Sequence, residues 1–509
     1  MTQIGNPHPP AGRRKSGIFL MLSAPCLLVL ALTVATTARA ADRFDGIRNS
    51  IRTQMQERNV PGMSVAVAKN GRIVWAEGFG WADLEGGIPA TADTTYSLAS
   101  VSKTFTAVGL MTLVQAGKVD LDKPINDYLG DAKLQAWVGD VREATVRRVA
   151  NHTSGLGTSE QFFYGEEERG LIPDMDLAIL RYGKLYQEPG TRWDYNNLGY
   201  GLLGYVIERV SGQPYADYMR KNVYLPLGMT HSSIDIAPGL EPFAAVRYGR
   251  EGERIPFYGF QEPGAAAMYS SVSDLARFGM FYLGHRLPGQ REILNKASRD
   301  AMIGDTVRQG AGRQYGLGLQ VVQYGDYTVV EHAGSMSGVK TKLAMVPSED
   351  LVVVVVGNSS NAPSIPIHDD IMQLMLPGWA NPPKEAVTMP ASAPSSWQGE
   401  WAGTLHTHEK ALPIQLKVLA SGDVHVRIAE QLWSLLDKTD FKEGRLTGRT
   451  LSQIPTGDTS RRPHTVRLTL QMRGDELNGE AMAGSSGPYF VYGLSHWVSL
   501  HRVEPGQPQ

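Results

Sequence analysis

Five valines run without interruption from Val352 to Val356, between Leu351 and Gly357. A strand with one wet face alternates apolar and polar residues, so an unbroken run of this length suits a strand buried on both faces. Together with "KTKLAMVPSED" before it, the run predicts a hairpin. "YGLGLQVVQYGDYTVVEHAG" predicts another, turning at Gly325-Asp326. Far upstream, Gly62 to Asp83 reads as two strands joined at Asn70-Gly71, and Asn-Gly between β-rich runs is a strong hairpin signal.

Between these strands the period changes. Val101, Phe105, Val108, Met111 and Val114 recur at three and four, which predicts a helix from Ser100 with one buried stripe, stopping near Gly117. Further helices are predicted over Asn197–Gln213, over Ser271–Leu283 with Ser273 or Asp274 near its start, and near Ile365–Leu376. Strands early, strands late and helices between predict one α/β unit with a largely antiparallel sheet.

The chain has 509 residues, enough for two or more domains. "ANPPKEAVTMPASAPSS", residues 380–396, is a linker by composition. After it only short strands follow, among them "LPIQLKVLA", "DVHVRIA", "HTVRLTLQM", "PYFVYG" and "HWVSLHRV". About eight such strands predict a small antiparallel barrel or sandwich over 397–509. The region before the linker, 41–379, is the larger domain.

Residues 1–40 read as a secretory signal peptide. Arg13, Arg14 and Lys15 precede an apolar run from Ile18 to Ala35, and Ala38-Arg39-Ala40 offers the cleavage site. A retained anchor is the other reading of the same residues. No apolar pair follows the two arginines, so general secretion is expected rather than a twin-arginine route. The expected location is periplasmic or secreted, with no integral membrane segment after cleavage. Cleavage removes four basic residues and takes the formal charge from -2 to -6. It also removes Cys26, the sole cysteine, and with it any thiolate chemistry or disulfide. The charge balance leaves no footprint for nucleic acid.

Ser100 and Lys103 stand three apart at the start of the predicted helix. Residues i and i+3 share a helix face, so the amine can reach the hydroxyl. A neutral lysine there can take the serine proton, and the helix N-terminus favours developing negative charge. Ser337 and Lys340 repeat the spacing, but Gly338 and strand-like neighbours surround them, and the repeat reads as coincidence. Acyl transfer also needs a second proton-handling group and oxyanion donors. Tyr195-Asn196-Asn197 and His332-Ala333-Gly334 are the candidates. Taken singly, such a tyrosine is usually core packing and such a histidine structural. His152 in "NHTSGL" reads as a turn-ordering residue. His406 and His408 have no third ligand nearby, so neither metal nor cofactor is expected.

The order S-x-x-K, Y-x-N and H-x-G resembles the serine β-lactamase and penicillin-recognising superfamily. The nearest likeness is its class C-like branch of family VIII esterases, D-aminopeptidases and DD-carboxypeptidases. "VRRVANHTSGL", "EPGTRWDYNNLGYGLLGYVIE" and "AAAMYSSVSDLARF" share the likeness, which covers roughly 45 to 375. It implies a β-lactamase-like domain, with an antiparallel sheet flanked by helices and a helical region, ahead of a lipocalin-like barrel. It implies Ser100 as acylated nucleophile, Lys103 as base and Tyr195 as proton donor to the leaving group. Asn197 would hold the substrate amide or Lys103. The backbone N–H groups of Ser100 and of Ser335, just after Gly334, would take the oxyanion. His332 stands where the resemblance places a lysine, and a histidine is charged only in part near neutrality. The expected substrate is therefore a small ester, a peptide or a peptidoglycan fragment read at its amino end. A β-lactamase or DD-peptidase is the alternative, and a non-catalytic binder the second. Oligomeric state is left open.

Overall fold

The computed structural model describes residues 42–382 and 392–503. The expected signal peptide with Cys26 lies outside the described residues, as does 383–391 of the Pro-rich stretch. Residues from Gly46 onward form one compact unit.

In chain order, β1 (Gly62–Lys69) and β2 (Arg72–Asp83) form the first hairpin. Then come α1 (Ser102–Gln115), β3 (Ser159–Tyr164), α2 (Asn197–Ser211), β4 (Tyr258–Phe260), the single turn α3 (Pro263–Ala266) and α4 (Val272–Tyr282). β5 (Gln320–Tyr324), β6 (Tyr327–Met336), β7 (Val339–Val346) and β8 (Leu351–Gly357) follow, and α5 (Ser364–Met375) closes the region. Asn70 and Gly71 both have positive φ, 52° and 69°, as a type I′ turn requires.

The sheet is antiparallel and nine-stranded. Its order is Val307–Gly310, Arg313–Tyr315, β5, β6, β7, β8, β1, β2, Ile88–Pro89. β8 lies between β7 and β1 and is buried along its whole length. Val352, Val354 and Val356 join the main core with Val272 and Leu275 of α4. By strand alternation Val353 and Val355 face the other way, and they too are fully buried.

One helix expectation is corrected. The predicted single stripe on α1 gives way to burial on every side from Ser102 to Met111. The helix lies within the core, against α2 and α3, and its polar positions bond inward. Thr104 Oγ1 donates to Gly318 O at 2.7 Å and Thr106 Oγ1 to Gly264 O at 2.6 Å. α4 has Ser273 and Asp274 near its start, as expected, and is capped by Ser271, whose Oγ accepts from Asp274 N at 3.1 Å. α2 matches its reading, capped by Asn196 at one end and ended by left-handed Gly212 at the other.

After the linker come β9 (Gly399–His406), β10 (Ala411–Val418), β11 (Val424–Ile428), β12 (Ser434–Leu435), β13 (Asp437–Lys442), β14 (Arg445–Thr450), β15 (His464–Arg473), β16 (Glu476–Ser485) and β17 (Tyr492–Arg502). Their order in the sheet is β12-β11-β10-β9-β17-β16-β15-β14-β13. The two edge strands, β12 and β13, are separated in sequence by Leu436 alone. The sheet therefore curls into a near-closed antiparallel barrel. Alternate residues fill it, such as Ile414, Leu416, Val466, Leu468 and Leu470. "PYFVYG" is not a strand of its own: residues 486–491 form a loop, and β17 runs on unbroken from Tyr492.

β3 arises in the stretch between the early and late strands, where only helices are expected. It pairs with β4 on one side and with β17 on the other. The barrel sheet therefore continues into the front region.

Candidate active site

Ser100 sits in a 3-10 turn, Ala99–Val101, just ahead of the regular start of α1 at Ser102. Ala99 has φ +50°, a conformation that costs a non-glycine residue about 1–3 kcal/mol and persists only where surroundings impose it. They do so here. Thr341 Oγ1 on β7 donates to Leu98 O at 2.8 Å. Gly334 on β6 presses against the same carbonyl, and a Cβ there would lie 2.1 Å from Leu98 O. Only glycine allows β6 to come this close.

Lys103 is fully buried. Its Nζ donates to Asn197 Oδ1 at 2.6 Å and to Ala265 O at 3.0 Å, and lies 3.4 Å from Ser100 Oγ. Burial brings its pKa down to about 7, against the opposing pull of Glu160 and Glu262. A lysine poised near neutrality can serve as a base. Tyr195 is hydrogen-bonded to Ser100, and burial pushes its phenol well above the usual value, so it keeps its proton. Its ring centroid lies 4.7 Å from Lys103 Nζ. His152 orders this corner: Nδ1 accepts from Asn196 N at 3.1 Å, and its ring packs 4.6 Å from that of Tyr195.

A cavity of about 590 Å³ opens over Ser100. Asn197 and Ser335 line it, with Glu160, Lys340, Arg250 and Phe490. Phe490 comes from the barrel loop 486–491. Lys340 Nζ donates to Ser335 Oγ at 2.5 Å. Burial, and the like charge of Arg250, hold its pKa below the ordinary lysine value.

His332 departs from expectation. Its ring is buried. Nδ1 donates to Ala333 O at 2.7 Å, so Nε2 accepts from Tyr315 OH at 3.0 Å. Burial first, then Lys103, lowers its pKa to about 3. Partial charge near neutrality is thereby corrected to none.

Two acidic residues here escaped the sequence reading. Glu160 on β3 accepts from Asn197 Nδ2, and burial raises its pKa. Glu262, just ahead of α3, is wholly buried, and neither carboxyl oxygen makes a hydrogen bond of standard geometry. Burial, then Glu160, pushes its pKa well up. Position beside "AAAMYSS" was the only available signal for Glu262, and nothing marked Glu160. Among the described residues no group of three or more His, Cys, Asp or Glu could hold a metal ion.

The family model described as Beta-lactamase matches residues 47–373. Protein flp of Staphylococcus aureus is 26% identical over 324 residues, which span 62% of this chain and 63% of that one. The chain thus matches under two thirds of that relative's length. A penicillin-binding protein homologue from Pyrococcus abyssi, described as octameric, superposes with TM-score 0.54 at 24% identity over 88% of this chain and 99% of its own. SurE superposes with TM-score 0.61 at 21% identity over 91% and 99%. At these identities the two structural likenesses bear on the fold, and their coverage reaches into the barrel.

Proposed function

The chain belongs to the beta-lactamase family, and from that premise we propose that it is a serine hydrolase acting through an acyl-enzyme on Ser100. The observation that carries this reading is the 3.4 Å approach of Lys103 Nζ to Ser100 Oγ, by an amine whose pKa lies at about 7. Neutral Lys103 takes the serine proton as Oγ attacks the carbonyl. The backbone N–H groups of Ser100 and Ser335 receive the oxyanion. Tyr195 gives its proton to the leaving group and recovers one from the water that releases the acyl group, while Lys103 returns its proton to the departing Ser100 Oγ.

The substrate class is a short ester or small peptide amide. Support comes from His332, whose neutral ring offers a substrate carboxylate no charge. One observation favours a β-lactamase or DD-peptidase instead: Lys340 and Arg250 put positive charge on the cavity wall from other positions. Export belongs to the same reading, carried by the N-terminal residues. Among the described residues no helix is long and apolar enough to cross a membrane. Self-association is included because a similar chain is described as octameric.

A fluorophosphonate probe should label Ser100 and fail on Ser100→Ala. Absence of labelling in the folded wild-type protein would instead favour a non-catalytic binder. Parallel rates on short acyl esters, D-aminoacyl amides and a chromogenic cephalosporin decide the substrate. A cephalosporin turned over more efficiently than the esters and amides overturns the first choice for the second.

A further inference from the structure

We propose that Glu160 is a positioning residue for Lys103, and that the barrel strand β17 holds it in place. The inference rests on Lys103 being the base, as above. A neutral amine has two N–H groups and one lone pair. Asn197 Oδ1 and Ala265 O, at 2.6 and 3.0 Å, use both N–H groups. The lone pair is then left to face Ser100 Oγ. This works only while Asn197 turns its oxygen, not its NH2, toward Lys103. An amide has one accepting and one donating end, and the donating end is fixed by Glu160, which accepts from Asn197 Nδ2. Glu160 thus sets the amide, the amide sets the amine, and the amine faces the serine.

Glu160 is presented by β3. Ser159, Glu160 and Gln161 pair with Leu494, Gly493 and Tyr492 of β17. Opposite Glu160 stands Gly493. A Cβ on that glycine would lie 3.3 Å from the Phe490 ring and 3.5 Å from Glu160 Oε1. An alanine would be tight, and a branched side chain would displace the carboxylate or the ring. The barrel therefore supplies both the ladder that aligns β3 and the gap into which Glu160 fits.

Glu160 also acts by charge. The groups facing Lys103 are Glu160 from β3, Glu262 ahead of α3, Tyr195, Tyr200 on α2, His152 and His332 on β6. The two imidazoles are held neutral and the phenols protonated. Only the carboxyl groups can favour the charged amine, and Glu160 has the larger influence of the two. Removing a negative charge beside a lysine lowers the lysine pKa.

The test compares Glu160→Gln, Glu160→Leu and Gly493→Val in the full chain, with p-nitrophenyl butyrate as probe. Gln keeps an acceptor for Asn197 Nδ2 but no charge, so the acid limb of kcat/KM should move to lower pH. Leu keeps neither, and kcat should fall about 10- to 100-fold, the loss expected for one charge-assisted hydrogen bond. Gln should restore most of what Leu loses. Gly493→Val should lower kcat in the same direction, with cooperative unfolding retained. An unmoved acid limb in Glu160→Gln, or wild-type kcat in Glu160→Leu, overturns the role of Glu160. Wild-type kcat in Gly493→Val overturns the barrel's share. If Lys103→Met itself stays active, the fault lies with the base assignment and not with Glu160.

Discussion

Lys103→Met should abolish turnover and yet change stability in a direction that depends on pH. The lysine is wholly buried and its pKa falls from 10.5 to about 7 on folding. At 1.36 kcal/mol per unit, that shift amounts to a folding penalty of about 4–5 kcal/mol when the group is charged in the unfolded chain. The unfolded state binds the extra proton between pH 7 and 10.5. Wild-type stability on this account rises with pH through that window, at about 1.4 kcal/mol per unit. Below pH 7 the penalty is full; above 10.5 it is gone. Methionine carries no such penalty. It does leave Ala265 O without its partner, which costs about 1–3 kcal/mol at every pH. Asn197 lines the cavity, so water is at hand to replace the amine at its amide. At pH 7 the variant should therefore be the more stable by about 1–4 kcal/mol. Urea unfolding of both proteins at pH 7.5 and 9.5 measures this. The advantage of the variant should shrink by about 2–3 kcal/mol between the two. A constant difference, or one that grows with pH, refutes the reading of Lys103 as a lysine held near neutrality.

Ser100→Ala should remove hydrolysis while Ser337→Ala keeps most of it, because Ser337 lies in the β6–β7 turn rather than beside Lys103; equal losses with both folds intact would reverse the assignment. Tyr195→Phe should lose about 10²–10⁴ in rate, the usual share of a general acid, and wild-type turnover by the Phe variant would make Tyr195 a packing residue. Limited proteolysis should cut between Ala380 and Ser396. The two fragments should stay together on gel filtration through the β3–β17 ladder, and a first cut inside the strands after Trp397 would sink that boundary.

Where local chemistry dictates the outcome, the sequence was enough. Asn70-Gly71 made its turn because both residues accept positive φ. The Val352–Val356 strand is buried on both faces because no residue in it can face water. Ser100, Lys103, Tyr195 and Asn197 meet because motifs at fixed points of one fold converge on one cluster of contacts. The misses have a common cause, which is that burial is set by neighbours distant in sequence. Thr104 and Thr106 look like an exposed face until Gly318 O and Gly264 O arrive to accept from them. His332 loses its charge because burial first, and then the like charge of Lys103, disfavours the imidazolium. Glu160 lies in "SEQFFY", whose strand character depends on partners at 258–260 and 492–494. No pattern within the segment itself could reveal them.

The ladder between β3 and β17 also limits how such a chain can be rearranged. A front region ending at 379 would carry β3 with one edge stripped of its hydrogen-bonding partner. An open edge of this kind recruits other strands, including those of neighbouring molecules. Attaching a different barrel would not cure this unless the newcomer brought a strand in the same register, with a residue as small as Gly493 at the point where Glu160 crosses. The two halves, though distinct in architecture, are therefore not interchangeable modules, and any inherited change to one face of that seam has to be tolerated by the other.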